Sequence, residues 1–161
     1  LYIRDAFLNL LPPLQTCGKD VDVWAQMDIQ SSPDRCHFPQ ISDLKAIHKE
    51  APNATFILNR RNMYTWAHSV VNWKLPAFDN VSMAVRLAYC PLGPKSSSQV
   101  DIIDWHYKHI KCIRKVVQEN PTHALIEIDI EDPATAKRMA LAFQTQEQYW
   151  GHSNRNQNNR S

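Results

Sequence analysis

Glycine is scarce in this chain: there are three, Gly18, Gly93 and Gly151, each isolated from the others. A loop that holds phosphate with backbone N–H groups needs clustered glycines so that the main chain can approach the anion. Neither a Walker-type loop nor a GxGxxG turn is therefore present. The four cysteines, Cys17, Cys36, Cys90 and Cys112, include no CxxC pair, which argues against a ribbon-type zinc site and a thioredoxin-like motif. Their even number leaves disulfides possible, although a chain of this length does not need them. Apolar runs are only a few residues long, against the roughly 20 residues that cross a bilayer. Charge of one sign is also lacking. Eighteen Lys and Arg against 16 Asp and Glu leave +2, which permits an anionic ligand but falls short of the basic excess of a nucleic-acid binder.

What remains is ordinary globular material. The 161 residues are 43% hydrophobic and 21% charged, enough to build one core and one domain over 1–161. Ile3, Phe7, Leu10 and Leu11 have helical spacing, ended by Pro12-Pro13. Residues 21–27 (VDVWAQM) read as a short strand and 31–39 (SSPDRCHFP) as a loop. Ile41, Leu44 and Ile47 predict an amphipathic helix over 40–50, and the run Thr55 to Leu58 predicts a strand buried on both faces. Helices are expected over 62–74, with Met63, Trp66, Val70 and Trp73 on one side, and over 81–89. Residues 91–98 (PLGPKSSS) look the most flexible.

The longest helix is expected over 99–119. Ser98 and Asp101 resemble a capping box there, and Ile103, Tyr107, Ile110, Arg114 and Val117 mark its stripe. Residues 123–130 (HALIEIDI) form the next strand, 134–143 a short helix, and 144–161 a polar, partly disordered tail. Strands alternating with helices predict an α/β domain with a largely parallel sheet.

Parallel strands carry their functional loops at the carboxyl edge. There the strand TFIL runs into Asn59-Arg60-Arg61, and the following helix carries Ser69. A guanidinium, a helix N-terminus and a hydroxyl can converge on one phosphate, though an arginine after a strand is more often a solvated surface residue. Asp28, at a strand end, and His37, in the next loop, are the two candidate general bases. Asp28 reads equally well as a residue that starts a loop. His106, His109 and Cys112 recur every three residues on the long helix. Helical rotation keeps the outer pair from sharing one ion, so no metal site is assigned. The tryptophans 24, 66, 73, 105 and 150 read as core or pocket wall.

The segment ATFILNRRNMYTWAHSVVNW (54–73) resembles the 3′-phosphate-binding segment of sulfotransferases that use 3′-phosphoadenosine 5′-phosphosulfate (PAPS). In that family a strand ends in Arg and a Ser follows eight positions later on the next helix, as Arg61 and Ser69 do here. Arg60 stands where an apolar residue is common. VWAQMDI with CHFPQI, HALIEIDIED and WGHSNRN also look like family landmarks, so the resemblance covers roughly 17–155.

It implies a three-layer P-loop-NTPase-like fold, incomplete at its N-terminus because the phosphosulfate-binding loop is absent. Arg61 and Ser69 would bind the PAPS co-substrate, and Asp28 or His37 would take the acceptor proton. The implied reaction is sulfuryl transfer to a hydroxyl or amine of a carbohydrate or other small acceptor. This chain by itself is expected to be inactive. The alternative is a non-catalytic nucleotide-binding or scaffold module. The resemblance also implies a Golgi or secretory-pathway location, with any membrane anchor outside this chain; a cytoplasmic protein is the other possibility. Three formal glycosylation triplets, Asn53-Ala54-Thr55, Asn80-Val81-Ser82 and Asn159-Arg160-Ser161, accompany that reading.

Overall fold

The computed structural model describes residues 29–32, 35–74 and 80–149. The expected helix at 2–11 and strand at 21–27 lie outside them, as do Asp28, Trp24, Trp150 and the end of the polar tail. β1 (Ile29–Ser32) and β2 (Arg35–His37) pair antiparallel, with Ile29 opposite His37 and Gln30 opposite Cys36. The loop expected over 31–39 is thus partly a hairpin. Ser31 and Ser32 belong to β1, and Arg35 to His37 form β2; residues that favour turns can still pair across strands when a neighbouring strand is supplied. His37 is the last residue of β2.

Two short helices, α1 (Pro39–Ser42) and α2 (Leu44–Glu50), replace the single helix expected at 40–50. Asp43, at φ −115° and ψ 22°, interrupts them while its N–H still bonds to the Pro39 carbonyl at 2.9 Å. Leu44 and Ile47 are buried, as their spacing required.

β3 (Thr55–Arg60) and β4 (Ala124–Asp129) form a parallel pair in unbroken register from Thr55 opposite Ala124 to Arg60 opposite Asp129. Between them the chain passes through α3 (Met63–Asn72), α4 (Met83–Ala88) and α5 (Gln99–Glu119). After β4 come α6 (Thr135–Ala142) and a 3-10 turn at Glu147–Tyr149. The described architecture is therefore mixed helix and strand with a small parallel sheet, which fits the α/β class. No described helix is long and apolar enough to cross a membrane.

Local chemistry starts each central helix. The Asn62 side chain accepts from the N–H groups of Tyr64 and Thr65, Ser82 from Val85, and Ser98 from Asp101, satisfying donors that the first helical turn leaves unpaired. The box at Ser98 closes in a modified way. The Asp101 carboxylate accepts from the Ser96 and Ser98 hydroxyls, while the Ser98 N–H donates to Ser96 Oγ.

The core lies where α3, α4 and α5 meet the end of β2. Phe38, Ala67, Val70, Ala84, Leu87, Cys90 and Ile102 are buried together, with Trp66 and Trp105 packed against them. A Cys36–Cys90 disulfide links β2 to the turn after α4.

Three expectations about burial need correction. Leu58 is buried, but Thr55, Asn59 and Ile57 (41% exposed) are open. A continuous apolar run does not by itself cover both faces of a strand. On α5 the inward residues are Ile102, Ile110 and Ile113, while Tyr107 and Arg114 are exposed. The stripe also takes in His106 and His109, which a count of apolar residues passes over. Trp73, expected on the inner side of α3, is 51% exposed at the helix end.

Residues 91–98 are tied down. Trp105 Nε1 donates to the Leu92 carbonyl at 2.7 Å, and Pro94 is buried. At Gly93 a Cβ would sit 1.9 Å from the Leu87 carbonyl oxygen, so only glycine fits there.

Candidate functional site: an arginine cleft at the carboxyl edge

Because β3 and β4 run parallel and in register, their carboxyl ends place two loops side by side. The Ile130 N–H donates to the Arg60 carbonyl at 2.9 Å, extending the ladder one residue past β4. Arg61 and Asn62 leave β3 there, and Glu131 leaves β4. One Glu131 oxygen lies 3.3 Å from the Arg61 guanidinium and the other accepts the Asn62 N–H at 3.2 Å. This single carboxylate thus occupies both cationic features of the step: the guanidinium and the start of the helix.

Beside it opens a cleft of about 100 Å³, walled by Arg60, Arg61 and Met63 from the β3–α3 step and by His106, Tyr107, Ile110 and Arg114 from α5. Glu127 of β4 joins the two walls. It accepts two hydrogen bonds from Arg114, at 2.6 and 2.7 Å, and one from Arg60 at 3.1 Å. The Arg114 bonds, then those of Arg60, hold the Glu127 carboxyl below the usual carboxylate range, and the same bonds push the Arg114 guanidinium up. Three guanidiniums against two carboxylates leave one net positive charge at the cleft. Arg61 Nε is buried with no hydrogen-bond partner, leaving one donor of the fork unused.

The floor is apolar and aromatic. His106 stacks on Trp66 at 4.2 Å with 28° between the rings, and Lys111 Nζ sits 4.7 Å from the centre of the Tyr107 ring. Burial holds the His106 imidazole below its ordinary value. It does the same for His109, to which the charge of His106 adds. The His109 Nδ1 is buried without a partner.

These histidines are neutral in the folded chain at pH 7, and the unfolded chain takes up their protons from about pH 6.5 downward. Stability is therefore complete above that pH and falls as pH drops toward the lowered folded values. The carboxylates Glu127 and Asp101, whose values are also lowered, take over at more acidic pH. Urea unfolding as a function of pH is expected to show the slope opening as pH falls below about 6.5, and His109→Gln is expected to flatten it. An unchanged slope in that variant would remove His109 from the account.

The structure brings together only part of what the sequence proposed. Arg61 lines the cleft, and Arg60, expected to matter less, lines it too, paired with Glu127. Ser69 is half-buried further along α3 and does not line the cleft. It stands six positions beyond Met63 on the helix, which turns it about 120° away and displaces it by about 9 Å. Asp28 lies outside the described residues, and His37 is fixed only as the end of β2.

Arg114, Glu127, Glu131 and Tyr107 were not singled out as site residues. Glu131 was findable: in a parallel pair both strand exits share one edge, and Glu131 stands two residues beyond β4. Among the described residues no three His, Cys, Asp or Glu side chains gather as metal ligands; His106 is engaged with Trp66, and Cys112 is an exposed free thiol. No family model matches the chain, and neither a curated protein nor a solved structure was found to be similar to it.

Proposed function

We propose that this chain is a sulfotransferase-like α/β domain of the three-layer, P-loop-NTPase type, and that its arginine cleft binds the 3′-phosphate of PAPS. The observation that carries this reading is the step from parallel strand to arginine to helix, with the Arg61 guanidinium set into a cationic cleft at the carboxyl edge. Arg61 supplies a planar fork with an unused buried donor, Arg60 and Arg114 supply charge, and Tyr107 and His106 supply ring surface. Ser69 reaches the same phosphate only if α3 shifts or the phosphate extends along it. In the reaction, Asp28 or His37 takes the acceptor proton as the sulfuryl group moves in line from PAPS to a hydroxyl or amine of a carbohydrate or other small molecule. The setting is the Golgi lumen or the secretory pathway.

A second reading, a non-catalytic α/β nucleotide-binding or scaffold module, is favoured by one observation. The cleft arginines are already paired, Arg60 and Arg114 with Glu127 and Arg61 with Glu131. An incoming phosphate must displace Glu131, since both claim the same guanidinium and the same helix start. Glu131→Gln is therefore expected to tighten binding of adenosine 3′,5′-bisphosphate several-fold, by removing a competing charge.

Calorimetric titration tests both points. Adenosine 3′,5′-bisphosphate is expected to bind and adenosine 5′-monophosphate, which lacks the 3′-phosphate, to bind much more weakly. Equal affinities would refute the 3′-phosphate assignment. Labelled PAPS with a panel of sugars is expected to give only background turnover with this chain by itself, since it lacks the phosphosulfate-binding loop; sulfated acceptor well above background would overturn that expectation and exclude the non-catalytic reading.

A further inference from the structure

The other end of β3 carries a feature that the nucleotide reading leaves unused. Ala51 to Ala54 form a tight turn closed by the Ala54 N–H donating to the Ala51 carbonyl at 3.1 Å. Pro52 takes its second position and Asn53 its third. Asn53 is absent from the positive-φ residues, so this is the common turn that places proline first of the two central residues. The turn is held from outside by the Thr122 hydroxyl, which donates to the Pro52 carbonyl. Asn53 and Thr55 are both exposed, and neither side chain makes a hydrogen bond among the described residues.

Asn80-Val81-Ser82 is differently placed. Asn80 has φ 58° and the Ser82 hydroxyl caps α4. Asn159-Arg160-Ser161 lies outside the described residues. The Cys36–Cys90 disulfide adds an independent indication, since such bonds persist in oxidising compartments.

We propose that Asn53 is an N-glycosylation site. The donor is a lipid-linked oligosaccharide pyrophosphate, brought by the transfer machinery of the secretory pathway. The Asn53 amide nitrogen forms a bond to the anomeric carbon, the bond from that carbon to the pyrophosphate oxygen breaks, and the lipid pyrophosphate leaves. The amide nitrogen gives up one proton. Transfer occurs on the extended chain, so the folded structure must accommodate the sugar afterwards. A turn apex with an unengaged side chain does so without loss of packing or hydrogen bonds. The six residues of β3 place the glycan roughly 20 Å from the arginine cleft, so the modification leaves the cleft open. The inference stands apart from the nucleotide reading and does not depend on it.

Expression of the full-length gene in a eukaryotic cell tests it, with N-glycosidase treatment and peptide mass mapping. The enzyme leaves Asp wherever it removes a glycan, so Asp is expected at position 53 of the treated wild-type protein. Thr55→Ser is expected to keep the modification, and Asn53→Gln and Thr55→Ala to lose one glycan's mobility shift. An intact Asn53 in treated wild-type protein overturns the proposal, and this readout does not depend on any variant folding.

Discussion

Arg61→Ala is expected to weaken binding of adenosine 3′,5′-bisphosphate by about 1.5–3 kcal/mol, the usual worth of a hydrogen bond to a charged group. That is roughly a 10- to 100-fold loss in Kd. The structure adds reasons for the size and for the contrast with its neighbour. Arg61 is two-thirds covered, its side chain 33% exposed, and its pairing with Glu131 fixes the guanidinium beside the start of α3. Arg60 is 52% exposed and shares Glu127 with Arg114, whose two shorter bonds keep that carboxylate in place when Arg60 is removed. Arg60→Ala is therefore expected to change binding little. Arg61→Lys tests geometry against charge: it keeps the charge but loses the planar fork, and should recover only part of the affinity. Calorimetry on the three variants decides. Equal losses for Arg60→Ala and Arg61→Ala would show that the cleft attracts anions by charge alone and that neither arginine grips a phosphate.

Elements with strong local signals were legible in the sequence. The helix over 99–119 was bounded correctly because Ser98 caps one end and its period runs unbroken. The strand at 124–129 and the helix at 135–142 followed from alternation and turn chemistry. The helix expected over 81–89 is observed as Met83–Ala88. Failures occurred where the deciding contact is distant in sequence. The hairpin at 29–37 depends on cross-strand pairing, which turn residues alone do not reveal. Asp43 splits a helix whose apolar period is continuous through it. The inward face of α5 was misplaced because His106 and His109 are polar by name but half-buried, one of them stacked on a tryptophan from α3. At the cleft, Arg61 was visible as a residue at a strand exit. Its partner Glu131 lies 70 positions away, and only the parallel register brings it there. A sequence displays each strand exit separately; the charge balance of a site depends on which exits become neighbours.

Loss of the Cys36–Cys90 disulfide is expected to cost about 4 kcal/mol of stability, the largest single effect anticipated here. The two cysteines are 54 positions apart, and a loop of that length restricts the unfolded chain strongly. The bond ties together two short elements that also share the core, since Phe38 just after β2 is buried with Leu87 and Cys90. β2 is three residues long, and the turn after α4 is otherwise held by Gly93, by the Leu92 carbonyl on Trp105 and by the buried Cys90 itself. Domains of this size have total stabilities of only about 5–15 kcal/mol, so reduction should remove a large fraction of the margin. Urea unfolding of oxidised protein, reduced protein and the Cys36→Ser/Cys90→Ser double variant measures it. The two forms without the bond should share a lowered midpoint. Alkylation before reduction should leave Cys36 and Cys90 unlabelled while labelling Cys112, which is exposed and free. Labelling of Cys36 and Cys90 in native, unreduced protein isolated from cells would show that the bond does not form there. It would also remove the oxidising-compartment argument from the glycosylation proposal, leaving Asn53 to be judged by its peptide map alone.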